Sequence, residues 1–164
     1  AGYRHDSYSD PVSGENLPAI VAAVSSERLF DTFLQLIESL GDTCDVVLES
    51  SHERKGHPRE YRREGIERIL LESQLWNFED LLLNDGCTSI AVLHAEHPFE
   101  VQLDEHKLII AYGPVMRNFE AILSDNGVPQ KKNLRVISQG DHMHTSTNYF
   151  TTQFEDFASQ LHAE

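Results

Sequence analysis

Two cysteines, one tryptophan and two methionines are all that the 164 residues hold of these types. Cys44 and Cys87 stand far apart, with no CxxC pair and no disulfide-rich spacing, so a disulfide framework is excluded and a reduced, intracellular setting is expected. Neither lies beside a basic residue, which suits a small buried role better than nucleophilic catalysis. Basic residues are also scarce: thirteen Lys and Arg face 27 Asp and Glu, for a formal charge of −14. That excess opposes general attraction to nucleic acid or to an anionic membrane, and either partner would need a local basic patch. No apolar run approaches the roughly 20 residues of a membrane-spanning helix. The N-terminal Ala1-Gly2-Tyr3-Arg4-His5-Asp6 lacks the basic-then-apolar order of a secretory signal, so a soluble, cytoplasmic protein is expected.

Signature motifs are missing too. The chain has no GxGxxG, GxxxxGK[ST], GxSxG or HExxH and no EF-hand loop. It has no internal repeat and no low-complexity run. These absences weigh toward a binding or regulatory module rather than an enzyme.

The densest run of strand-forming residues is Cys87 to Tyr112. Ser89 to Leu93 and Leu108 to Tyr112 are continuous apolar runs, the pattern of strands covered on both faces, whereas Phe99 to Asp104 alternates strictly, as a half-covered strand does. The short connections 94–98 and 104–107 predict an antiparallel meander with the alternating strand in the middle. Phe99, Val101 and Leu103 then face the core, and Glu100 and Gln102 form a polar stripe on the other side, a candidate ligand-binding floor.

Around this centre, Leu29, Phe30, Phe33, Leu36, Ile37 and Leu40 make one helical stripe after Ser25 or Ser26, stopped by Gly41. Residues 43–49 and 134–138 read as further strands. Val115 to Leu123 and Phe150 to Leu161 read as helices, the second capped by Thr145, Ser146 or Thr147. Residues 1–17 are polar and show no periodicity, which predicts a flexible arm before one domain over 18–164. The expected class is α+β (mixed α/β): a single domain with about five mostly antiparallel strands, a central three-strand meander and four to five packing helices.

Six of the thirteen basic residues crowd between positions 54 and 68. Arg54 and Lys55 fall on a loop broken by Gly56 and Pro58. Arg59, Arg62 and Arg63 have the spacing of one helical face, in a helix that Gly65 weakens by about 1 kcal/mol and that continues through Ile66, Leu71 and Trp76 to a second short helix ending near Leu83. Such a loop-helix can hold an acidic protein partner, a second copy of the chain, or a small anionic ligand. Interleaved Glu60, Glu64 and Glu67 offer these arginines intramolecular partners instead. The alternative is a metal-dependent, hydrolase-like enzyme: His142 and His144, an i, i+2 pair, with Asp141 and one of His94 or His97, would hold a divalent metal such as zinc. No other cofactor is expected.

Overall fold

Alternation and helical stripes set most of the elements. A computed structural model of the chain describes every residue except 10, 12, 53–57 and 136–145. The described strands are β1 (Gly2–Ser9), β2 (Asn16–Ala23), β3 (Thr43–Ser50), β4 (Arg59–Glu67), β5 (Thr88–His94), β6 (Glu100–Leu103) and β7 (Ile109–Tyr112). The helices are α1 (Ser26–Glu38), α2 (Arg68–Asn77), α3 (Glu79–Asn84), α4 (Arg117–Asp125) and α5 (Asn148–Gln160). The strands form one sheet in the order β1-β2-β7-β6-β5-β3-β4, with every neighbouring pair antiparallel.

The meander is present as expected, with β6 between β5 and β7. Its alternation sorts the faces. Val101 and Leu103 are buried with Val46, Leu48, Ile90, Val92, Ile109 and Ala111 in a core that takes residues from all five helices. Every described helix therefore packs on the same side. The apolar runs of β5 and β7 are not covered on both faces, as their composition predicts: Ala91, Leu93 and Ile110 lie half-buried on the side the helices leave open. Broad strands pack sideways against their neighbours, so one covered face suffices.

The described residues form seven strands where about five are expected. Residues 1–17, read as an unstructured arm, supply β1 and the start of β2 in a hairpin running from Gly2 opposite Ala23 to Ser9 opposite Asn16. β1 is polar because it is an edge strand: backbone bonds to β2 hold it, and only its first residues are buried. The segment Arg59 to Glu67 is likewise a strand and not a helix. Gly65, which reads as a flaw in a helix, sits at a β-bulge opposite β3 with φ +65°, and its N–H donates to Asp45 Oδ1 at 2.8 Å. The helix begins only at Arg68, leaving Ile69, Leu70 and Trp76 exposed where an apolar core face is expected. Leu134 and Arg135 are not in a strand, and the rest of that expected strand lies outside the described residues.

Both sheet edges are partly closed. Tyr3 N–H donates to Pro129 O (2.9 Å) and Tyr3 O accepts from Lys131 N (2.6 Å), while Arg62 and Glu164 exchange backbone bonds of 2.8 and 3.0 Å. These contacts remove part of each edge from strand addition.

Gly113 lies just beyond β7, where a Cβ would sit 2.3 Å from Cδ1 of Phe99. Gly113→Ala is expected to push that ring off its edge-to-face contact with Phe119 (centroids 6.1 Å apart) and to cost about 1–3 kcal/mol of stability. Urea unfolding checks it, and an unchanged midpoint contradicts the close approach.

Candidate functional site

The sheet end where β3 stops, β5 starts and β6 turns into β7 gathers three of the six buried polar residues among those described, Ser50, Asp85 and Thr88. Ser51 N–H donates to Cys87 O (2.9 Å), tying the exit of β3 to the entrance of β5. The next residue, His52, is clamped at both ring nitrogens: Ser50 Oγ lies 2.5 Å from Nδ1, and Asp85 Oδ2 lies 2.6 Å from Nε2. Asp85 is wholly buried at the end of α3 and also accepts from Thr88 Oγ1 at 2.5 Å. Its Oδ1 has no hydrogen-bond partner. A cavity of about 400 Å³ lies in front of His52, bordered by Ser51, Cys87 and the first turn of α5, where Thr147 Oγ1 accepts from Phe150 N.

Ser, His and Asp in one hydrogen-bonded line invite comparison with a hydrolytic triad, but the geometry favours a structural clamp. The two bonds of the imidazole are those a triad also makes, but Ser50, 7% exposed, is not among the residues bordering the cavity. A nucleophile needs access to its substrate, which Ser50 lacks.

The open face of the sheet is the second feature. Directly paired residues share a face, so one row crosses all seven strands: Arg4, Val21, Ile110, Gln102, Ala91, Val47 and Arg62. A parallel row runs Asp6, Ala19, Tyr112, Glu100, Leu93 and Asp45, and beyond the first row lie Ser89, Glu49 and Glu60. Glu100 and Gln102 project here as their alternation predicts. They hydrogen-bond to each other, and Tyr112 bonds to Glu100 under the stacked ring of Tyr8. Burial, then these bonds, raise the Tyr112 hydroxyl well above its ordinary range. No helix lies over this face among the described residues, so the stripe is a floor without the walls expected of it.

At the sheet end this face dips into a depression of about 210 Å³ whose carboxylates are Glu49, Asp104 and Glu105. Burial first, and then the charges of Glu60, Glu105 and Glu100, raise the Glu49 carboxyl. Carboxylates grouped around one depression favour a cation among them.

The arginine cluster is divided. Arg59 and Arg63 lie on the helix side of β4 and Arg62 on the open side, because a strand sends neighbours to opposite faces. Arg62 pairs with Glu60 at 3.2 Å, Arg63 Nη1 donates to Leu161 O at 3.0 Å, and Arg59 lies over Tyr61 at 5.7 Å. Arg68 pairs with Glu72 at 2.9 Å. Arg54 and Lys55 lie outside the described residues, as do Asp141, His142 and His144. His94 Nδ1 accepts the N–H groups of Glu96 and His97, both at 3.0 Å, and so serves its own turn. No group of three His, Cys, Asp or Glu among the described residues is arranged to hold a metal ion. No described helix is long and apolar enough to cross a membrane. Cys44 is buried as expected, and burial pushes its thiol up to about 11.

The His52–Asp85 pair escapes sequence reasoning because the two residues are 33 positions apart and belong to no shared period. The one cue is an acidic residue ending a helix just before a strand. Comparison with family models, curated proteins and solved structures found no match to this chain.

Proposed function

We propose that this chain is a binding module, that the open face of its sheet is the recognition surface, and that the partner is a basic segment of another protein. The charge of that face carries the reading. Asp6, Asp45, Glu49, Glu60, Glu100, Asp104 and Glu105 line it or its rim, against Arg4 and Arg62, which already pair with Asp6 (3.9 Å) and Glu60 (3.2 Å). Lysine and arginine side chains would meet the carboxylates of the depression while their aliphatic stems lie on Val21, Ala91 and Ile110. Two copies placed face to face would oppose like charges, which argues against self-association here. Capture of an acidic partner or anion by Arg59, Arg62 and Arg63 has less support, since each guanidinium has a partner within the chain.

The test is titration of a labelled Lys/Arg-rich peptide at low and at 0.15 M salt, where the screening length is about 8 Å. Binding should weaken with salt, and Glu49→Gln with Glu105→Gln should lower affinity roughly two- to thirtyfold, the worth of two partly exposed ion pairs. An acidic peptide should not bind. No binding of the basic peptide at low salt, or binding of the acidic one that Arg62→Gln with Arg63→Gln abolishes, overturns the reading.

A further inference from the structure

A third cavity, of about 410 Å³, opens beside the β6–β7 turn on the helix side of the sheet. Its described lining is divided by chemistry. Val24, Leu29, Leu83 and Leu108 form an apolar surface, while Lys107 and Arg135 are the basic residues of the lining, in a protein of charge −14. Lys107 is held there by its backbone, at φ 63°, in a turn that Asp104 ties through the N–H groups of His106 and Leu108, both at 2.9 Å. Its Nζ lies 3.5 Å from Thr88 O. Arg135 is exposed at the rim.

We propose that this cavity binds a small carboxylate with an apolar body, the carboxylate held by Lys107 and Arg135 and the body laid on Leu29, Leu83 and Leu108. The volume falls within the roughly 300–1,000 Å³ usual for small-molecule sites, which pair apolar walls with a few polar anchors. The acidic groups near Lys107 come from each element around it: Asp85 beyond α3, Cys87 before β5, and Asp104 and Glu105 in its own turn. The carboxylates have other engagements. Asp85 accepts from His52 and Thr88, Asp104 from the turn and from His106 Nδ1 at 3.3 Å, and Glu105 from Ser51 Oγ at 3.2 Å; Asp104 and Glu105 also line the depression on the open face. Burial holds the Lys107 ammonium down at about 8. An incoming carboxylate favours the charged amine, so binding near pH 8 draws a proton from solution.

The test is calorimetric titration of the full chain with hexanoate, with 1-hexanol and acetate as controls for apolar body and charge alone. Hexanoate should saturate one site per chain, with each control at least about tenfold weaker. At pH 8 the heats in Tris and in phosphate should differ by the ionisation of the buffer, reporting proton uptake. Lys107→Met should weaken hexanoate about tenfold and Arg135→Gln about threefold, as expected for losing one charged contact, the second at an exposed rim. Absence of saturable hexanoate binding, equal affinity for hexanol, or parental affinity in either folded variant overturns the proposal. Should circular dichroism show Lys107→Met unfolded, Arg135→Gln and the proton uptake of the parent decide alone.

Discussion

Val101→Asp should leave the protein unfolded or nearly so at room temperature, whereas Gln102→Asp, one residue along the same strand, should leave it folded. Val101 is 0% exposed, in the middle strand of the meander, opposite Val92 on one side and Ala111 on the other. A carboxylate there has no partner within reach and loses the burial of the valine. The expected cost exceeds about 4 kcal/mol, close to the whole stability of a marginal domain. Gln102 lies on the open face, half-buried, and donates to Glu100. Replacing it with Asp trades that bond for a like-charge neighbour and should cost about 1–2 kcal/mol. Urea and thermal unfolding of the two variants are the measurement, and equal losses would mean that the faces of β6 are misassigned.

The second large effect is expected at His52. His52→Ala would leave the carboxylate of Asp85, wholly buried, with only the Thr88 hydroxyl at 2.5 Å. Breaking a buried pair by removing one member costs about 3–5 kcal/mol, because the remaining carboxylate loses a hydrogen-bond partner that no solvent replaces; the neighbouring Lys107 ammonium puts the cost toward the lower end. Edge-to-face contact with Phe154, 5.5 Å between centroids, is lost as well. The double variant His52→Ala, Asp85→Asn should recover about 1–2 kcal/mol, since the amide removes the buried charge while keeping an acceptor for Thr88. Chemical unfolding at pH 7 decides it. A double variant no more stable than the single one would show that the imidazole matters for packing and not for the charge.

Residues that keep a period over several turns were legible. α1 follows its stripe from Leu29 to Ile37, α5 is capped by Thr147, one of the three residues its sequence offers, and the strict alternation of Phe99 to Asp104 places Val101 inside and Gln102 outside. The basic segment was not legible. Arg59, Arg62 and Arg63 satisfy a helical face and a strand about equally well when only charges are counted. The one discriminating residue, Gly65, serves a bulge whose partner, Asp45, is 20 positions away. β1 was hidden for a related reason: an edge strand is held by main-chain bonds, which any side chain except proline permits, so Gly2 to Ser9 needs no apolar pattern of its own.

The composition and local periods of this chain by themselves determined a mixture of helices and sheet, the antiparallel meander at its centre and the inward sides of α1, α5 and β6, because these depend on spacings of two to four residues and on the transfer of apolar surface from water. Only the tertiary structure decided that the five described helices cover one face and, among the described residues, leave the other open, that the arginines of β4 divide between faces, and that His52 meets Asp85 while Lys107 lines a cavity. Those are contacts between residues distant in sequence, set by strand order and register, and no local spacing encodes them.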